Sequence, residues 1–447
     1  MKFPKLLNNI SGLQLYQLMR FTTFLLISII FTKINLSPHD IGEFEVFLFI
    51  ASLISFFWVS GLIQSFLPLY HQNHTFKTYG KREAGKSPEI FNAAILLTLF
   101  SFLALILGIS MKYHFSVFQL SGDVPFINLL LAYLFLSNPP VLIEYIYLLQ
   151  NKPEYIFRYG LLTYIIQLML VIAPLIFGYP IIWAIWGLLI ISALRFVWLI
   201  VLLFRYAEFR ISFPFIKEHL YLGAPLILSS LLSGSAQYID GLIVTNRFDA
   251  ATFAIFRYGA KELPFTILLA NGLSNAMLPE FSKKGTFAAN LSTLRTKSLR
   301  LIHVLYPLSI VILFFARWLY PRLFNPNFLR SADVFMVYLL LIIPRLVFPQ
   351  TILIGLKKTR VVLISAFIEI VLNVALSLYL VQYYNVVGIA LATVIVFILE
   401  KAILIAYLWI KMGIHPKTYM PVKTVAIYAT VIIILFVLID HRIINII

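Results

Sequence analysis

The sequence predicts an all-α polytopic membrane protein, and three features carry that prediction. Hydrophobic residues make up 61% of the 447 and charged residues only 12%. A soluble domain carries roughly a quarter charged residues, so this chain cannot clothe itself for water. Mean hydropathy is +0.94. The apolar residues also come in long runs without two-residue alternation, far longer than the roughly ten-residue segments of a membrane β-barrel. Spans of about 20 to 25 residues with short connections leave room for about twelve to fourteen helices.

In chain order, the candidate spans lie near 11–33, 41–69, 90–111, 124–149, 155–178 and 181–204. They continue near 218–246, 251–279, 298–320, 331–355, 360–383, 386–410 and 419–439. The first is read as a retained span, because no small-residue cleavage site follows its apolar stretch. The expected organisation is an N-terminal six-helix lobe (1–204), a cytoplasmic inter-lobe linker (205–217), a C-terminal six-helix lobe (218–412) and one additional C-terminal span (413–447). With the N-terminus in the cytoplasm, the loops that carry Lys77, Lys81, Arg82, Lys86, Lys283 and Lys284 all fall inside, the positive-inside pattern. The net charge of +17 then belongs to loops facing anionic headgroups, and nucleic acid is not an expected partner. The chain has no cysteine, which removes disulfides, thiolate metal sites and cysteine nucleophiles together.

Loop length narrows the function further. No connection exceeds about 20 residues, whereas a soluble domain needs about 50. A membrane polymerase, ligase or glycosyltransferase with an extracytoplasmic catalytic domain is therefore disfavoured, and no enzyme activity is expected. Gly80-Lys81-Arg82-Glu83-Ala84-Gly85-Lys86-Ser87 matches the phosphate-binding loop pattern to the letter. That motif works between a strand and a helix of an α/β domain. Here a span precedes it and Pro88 follows it, so it reads as a basic connection facing lipid. The histidines form no ligand cluster, and no nucleophile elbow or dinucleotide fingerprint is present.

Two echoes suggest an internal repeat. Gly61-Leu62-Ile63-Gln64-Ser65-Phe66-Leu67-Pro68 and Gly272-Leu273-Ser274-Asn275-Ala276-Met277-Leu278-Pro279 share one pattern at equivalent places in the two halves. Leu149-Gln150-Asn151-Lys152 is echoed by Gly355-Leu356-Lys357-Lys358. Parallel repeats with a site between them are the geometry of alternating-access carriers. Pro68, Pro174, Pro225, Pro307 and Pro344 add kinks that neighbouring helices must satisfy.

Charges at membrane depth are the strongest functional signal, because each costs at least about 2.5–3.5 kcal/mol unless paired or hydrated. The cations are Arg20, Arg195, Arg257, Lys261, Arg345 and Lys401, and the anions Glu45, Glu144, Asp240, Glu262, Glu369 and Glu400. Arg257 and Lys261 are four apart, so they should share one face of the eighth helix with Asn271 and Ser274 roughly continuing the stripe. With Arg20 and Arg345 they suit a phosphate-bearing substrate, since an arginine fork donates two parallel charge-assisted bonds. The alternative is that these cations pair with Glu369, Glu400 or Glu144, or snorkel. Arg195 is read as reaching the cytoplasmic interface, and Lys401 as the partner of adjacent Glu400. Glu369, with Asn373 one turn further along, is a candidate for ion coupling, against a salt bridge to Lys401 or Arg345. Glu45 is a weaker one, nearer an interface.

The runs Ile239-Asp240-Gly241-Leu242-Ile243, Phe253 to Pro264 and Leu278-Pro279-Glu280-Phe281-Ser282 resemble the centre of bacterial polysaccharide flippases of the O-antigen and capsule type. Leu372-Asn373, Asn385 to Thr393 and Leu36 to Phe44 resemble further segments of that family, which belongs with MATE exporters and lipid II flippases to the MOP superfamily. The resemblance covers roughly residues 5–412, and the additional tail helix departs from the usual twelve or fourteen spans. It implies two six-helix lobes in a V around a central cavity. It also implies translocation of undecaprenyl-pyrophosphate-linked oligosaccharide from the cytoplasmic to the outer leaflet of the bacterial inner membrane by alternating access. The implied partners are the lipid-linked oligosaccharide, membrane lipids and the polymerase or assembly proteins of a polysaccharide pathway. The chain would act as a monomer, with no cofactor beyond a proton or sodium gradient. Cavity cations would hold the pyrophosphate, with Arg20, Arg257, Lys261 and Arg345 in those places. The competing expectation is a MATE-like cation-coupled exporter of small organic molecules, whose cavity should be acidic.

Overall fold

The computed structural model describes residues 9–34, 36–75, 86–114, 124–281, 287–356 and 358–440. They form α1 (Asn9–Lys33), α2 (Pro38–Thr75), α3 (Pro88–His114), α4 (Ile127–Ser137), α5 (Leu142–Leu149), α6 (Pro153–Ile176), α7 (Ile182–Tyr206) and α8 (Phe213–Arg247). There follow α9 (Ala250–Gly259), α10 (Pro264–Phe281), α11 (Phe287–Leu323), α12 (Leu329–Leu339), α13 (Ile342–Arg345), α14 (Pro349–Gly355), α15 (Thr359–Ala406), α16 (Pro416–Tyr419) and α17 (Val422–Asp440). Strands are absent among the described residues, apart from an isolated parallel bridge between Ser87 and Ala207. Gly80 to Gly85 of the phosphate-loop pattern lie outside the described residues.

Ten segments of the described residues are long and apolar enough to cross a membrane. The protein is therefore an all-α, multi-pass membrane protein. One of the ten, α15, is two helices joined at Asn385, whose φ of 52° and ψ of −139° lie outside the helical region. The 35-residue α8 and the α9–α10 pair carry more polar residues and complete the predicted order. Several breaks have a local cause. Pro139 and Pro140 lack the N–H that would continue α4, and Asn138 Nδ2 instead donates to Leu134 O and to Ser55 Oγ. The residues 260–263 between α9 and α10 leave the helical path just before Pro264, where the residue preceding proline is pushed out of the α region.

The chain forms two compact units. Unit 1 comprises 1–234 with 249–251, and unit 2 comprises 235–248 with 252–447. The division falls at Gly234, inside α8, so residues 218–234 pack with unit 1. There Gly61 of α2 touches the backbone of Ile227, Gly223 meets Ser65, and His219 Nε2 lies 2.8 Å from Leu62 O. The connection before α8 is also fastened: Asn92 Nδ2 donates to Arg210 O and Asn92 Oδ1 accepts from Ser212 N. The core of unit 1 joins Tyr16, Trp58, Phe66, Ile146, Tyr159 and Phe215. In unit 2, Tyr258 stacks on Phe328 at 4.9 Å, and Tyr320 donates to the Tyr258 carbonyl. The additional helix α17 belongs to unit 2. Arg317 of α11 donates to Asp333 and to the Ile439 carbonyl, and Tyr428 stacks on Tyr306 at 5.3 Å.

The repeat is clearest in the backbone. Gln150 N bonds Ile146 O and Lys152 N bonds Tyr147 O; Leu356 N bonds Ile352 O and Lys358 N bonds Leu353 O in the same relation. Asn151 takes the left-handed conformation that such a helix end requires. Gly187 of α7 packs on the Leu170 carbonyl, and Gly388 packs on the Leu380 carbonyl in the matching hairpin of unit 2. The glycines of the first echo differ: Gly61 is tightly packed, whereas Gly272 has open space around its Cβ position. Gly187→Val and Gly388→Val should therefore each lower stability by about 1–3 kcal/mol through overpacking. Gly272→Ala should be neutral or stabilising by up to about 1 kcal/mol. Thermal unfolding in detergent reads the difference.

Candidate functional site

In unit 1 the charges gather where α1, α5, α6 and α7 meet. Arg20 remains solvent-accessible, with Tyr164, Glu144, Tyr16 and Tyr145 as its electrostatic neighbours. Glu144 is buried, and Tyr16 stacks on Tyr159 at 5.9 Å. Arg195 stands in the middle of α7 rather than at an interface. Its NH2 donates to Gln167 Oε1 at 2.9 Å, and its guanidinium covers the Tyr164 ring at 4.8 Å. Neither Arg195 Nε nor Gln167 Nε2 has a hydrogen-bond partner. The sequence undervalued Arg195, although its central place in the sixth span was readable. Glu45 is buried on α2 and faces Ser28 Oγ of α1 at 3.5 Å.

Unit 2 holds the other predicted cations, in a different arrangement from the helical stripe. Arg257 lies near the end of α9, but the helix stops at Gly259 and Lys261 sits in the break. The four-residue spacing therefore does not place them on one helical face. Lys261 Nζ lies over the Tyr258 ring at 5.0 Å, and Ser274 turns to Thr351 Oγ1 at 2.7 Å. Arg345 is engaged by a carboxylate the sequence did not propose for it. Its Nε and NH2 donate to the two oxygens of Glu262 at 2.8 and 2.6 Å, and its plane lies over Phe397. Lys401 Nζ is 2.7 Å from adjacent Glu400, as the sequence suggested. Neither Arg345 nor Lys401 closes a salt bridge to Glu369 among the described residues.

A second network in unit 2 is built entirely from oxygen-bearing side chains and one amide. Asp240 of α8 is buried, and its Oδ2 accepts from Tyr338 at 2.5 Å and from Thr393 at 2.6 Å. Asn373 Nδ2 donates to Thr393 Oγ1 at 3.1 Å, and Ser377 donates to Asn373 Oδ1 at 3.0 Å. Asp240 Oδ1 is buried without a partner. Such an orphan acceptor inside a satisfied network is where a proton or a small hard cation is stabilised. Of this set, sequence reasoning had singled out Asn373 for ion coupling and had noted Asp240 only as a charge at depth.

Comparison with known proteins then bears on the whole chain. The profile of a family described as polysaccharide biosynthesis protein matches residues 36–333. The chain belongs to that family. Its match contains Asp240, Arg257, Lys261 and Glu262, whereas Arg20, Arg345, Glu369, Asn373 and Thr393 lie outside it. No curated protein matches the sequence significantly. Among solved structures, the chain is similar to a lipid II flippase MurJ in an inward closed conformation, at 18% identity and a TM-score of 0.66, over 96% of this chain and 92% of that one. It is also similar to an inward-facing multidrug resistance MATE family transporter of the MOP superfamily, at 15% identity and a TM-score of 0.62, over 91% and 98%. A MOP superfamily transporter from Pyrococcus furiosus follows at 15% identity and a TM-score of 0.52, over 90% and 93%. At such identities the likeness establishes the fold. The polysaccharide biosynthesis family chain thus shares the fold of these solved membrane proteins.

The Arg345–Glu262 pair gives a direct test of the site's electrostatics. Glu262→Gln should destabilise unit 2 by about 3 kcal/mol, because it leaves a guanidinium largely buried without its counter-charge. Adding Arg345→Gln should recover part of that loss. A double-mutant cycle on thermal or denaturant unfolding measures the coupling.

Proposed function

We propose that the chain is a flippase that carries undecaprenyl-pyrophosphate-linked oligosaccharide from the cytoplasmic to the outer leaflet of the bacterial inner membrane, by alternating access, for export of surface polysaccharide. The observation that carries this reading is a cluster of cations in a polysaccharide biosynthesis family member: Arg257, Lys261 and the Arg345–Glu262 pair gather at the α9–α10 break. A diphosphate offers the same paired oxygens as Glu262 with more charge, so it competes for the Arg345 fork. Arg20, accessible in unit 1, is the fourth cation of the set. The solved flippase among the fold relatives is by name a flippase of lipid II, and that lends support to the same class here.

Coupling to a proton or sodium gradient is assigned to the Asp240–Thr393–Asn373 network, with Glu369 and Glu45 as further candidates. The reading keeps the N-terminus in the cytoplasm, as the loop charges require. It treats the chain as a monomer served by polymerase and assembly proteins. A second reading, a cation-coupled exporter of small organic molecules, is favoured by the likeness to MATE transporters.

Proteoliposome transfer of an undecaprenyl-pyrophosphate oligosaccharide separates the two. The wild type should move it, and Arg257→Ala/Lys261→Ala should reduce the rate at least about tenfold, the equivalent of about 1.4 kcal/mol. Uptake of an organic cation with no movement of any glycan donor would put the exporter first. Asp240→Asn should remove the response to an imposed sodium or proton gradient while gradient-free exchange persists.

A further inference from the structure

In a second cluster of unit 2, one carboxylate lacks a charge partner of its own among the described residues. Around Glu369 stand Glu400 and Lys401, from beyond the Asn385 kink of α15, and Arg345 from α13. Arg345 is committed to Glu262 through two hydrogen bonds. Lys401 is committed to Glu400 at 2.7 Å and reaches Gln350 Oε1 of α14 at 3.3 Å. Ser365 Oγ lies 3.5 Å from Glu400 Oε1. The cluster holds three carboxylates, Glu262, Glu369 and Glu400, against two cations. Glu369 is the one left over, 9% exposed, with Oε1 lacking any hydrogen-bond partner. Lys261 lies over Tyr258 and Arg257 near Tyr338, and the charges that act on Glu369 are those of Glu400, Lys401 and Arg345. A lone charge at this depth is strongly disfavoured, so any further negative charge brought nearby would be met by a proton at Glu369 or Glu400.

We propose that Glu369 and Glu400 form a proton site linked to anion binding at Arg345, so that a diphosphate displacing Glu262 from the guanidinium draws one proton into the pair. This rests on the diphosphate reading given above and adds to it a proton taken up on loading. The physical reason is charge count. A diphosphate diester brings two negative charges where Glu262 brought one, and inside a low dielectric the surplus is felt by every neighbouring carboxylate. The proton comes from solution, and no covalent bond changes apart from the O–H it forms. A proton that binds together with the substrate travels in the substrate's direction. This cluster therefore ties loading to pH and supplies no drive, which takes Glu369 out of the gradient-coupling candidates and leaves the driving ion to the separate Asp240 network.

The test is calorimetric titration of the full-length protein in nanodiscs with a short-chain prenyl diphosphate–glucose diester, whose phosphoryl groups stay singly ionised across the range. Buffers of different ionisation enthalpy report the protons exchanged. Wild type should take up about one proton per diphosphate, and affinity should weaken about tenfold per pH unit above the site's titration, the change that follows from one linked proton. Glu369→Gln should abolish the uptake and the pH slope while binding persists, and Glu154→Gln, on an exposed pair with Arg158, should change neither. If Glu369→Gln fails to fold, Glu400→Gln and the wild-type buffer series carry the same readout. Binding without proton uptake, or uptake that survives both Gln variants, overturns the inference alone. Absence of diphosphate binding at every pH overturns it together with the flippase reading.

Discussion

A charge inside hydrocarbon has no water to solvate it, and the polar architecture of this protein answers that constraint. Most of the described ionisable groups at depth meet a partner from another helix of their own unit or stand in a network of hydroxyls. Arg195 lies on Tyr164 and Gln167, Arg345 grips Glu262, and Asp240 takes two hydroxyl donors. Among the buried atoms without a hydrogen-bond partner are Asp240 Oδ1, Glu369 Oε1 and Arg195 Nε. Because unpaired polar atoms are so disfavoured in this medium, these few are the places where a proton, an ion or a substrate anion would be most strongly held.

The broken helices follow from the same constraint. Interrupting a span frees backbone groups that must be satisfied by protein, so a break is tolerated only where packing supplies partners. The α9–α10 break places Lys261 and Glu262 off the helical cylinder, where Glu262 can reach across to Arg345. The Asn385 kink lets the two halves of α15 run back against each other, bringing Thr393 to Asn373 and Glu400 towards Glu369. A straight helix would hold Asn373 and Thr393 about 30 Å apart, and Glu369 and Glu400 about 46 Å apart, at about 1.5 Å per residue. The kink thus creates both networks of unit 2.

The repeat has been kept in backbone geometry more faithfully than in side chains. The helix-end turns at 146–152 and 352–358 share one hydrogen-bond pattern, and in each unit the following hairpin carries a glycine packed on a carbonyl. The charges do not. Unit 1 sets Arg195, Gln167 and tyrosines between its fifth and sixth spans, whereas unit 2 sets Asn373, Ser377 and Thr393 beside Asp240. Two copies of one scaffold have therefore taken on different electrostatic tasks.

The sequence by itself determined the membrane class, the order of the spans, the tail helix and the list of charges at depth. Each of these is a local property: hydropathy, run length and residue type along the chain. It also exposed the resemblance that the family match bore out over residues 36–333. Who pairs with whom was decided only by the tertiary structure. Glu262 and Arg345 are 83 residues apart, and Asp240 and Thr393 are 153 apart. The helical stripe expected for Arg257 and Lys261 failed for the same reason, since where a helix stops depends on what it packs against. Partners on different helices share no periodicity in sequence. A charge in a span can be read from its neighbours along the chain, but its neutralisation comes from neighbours across space.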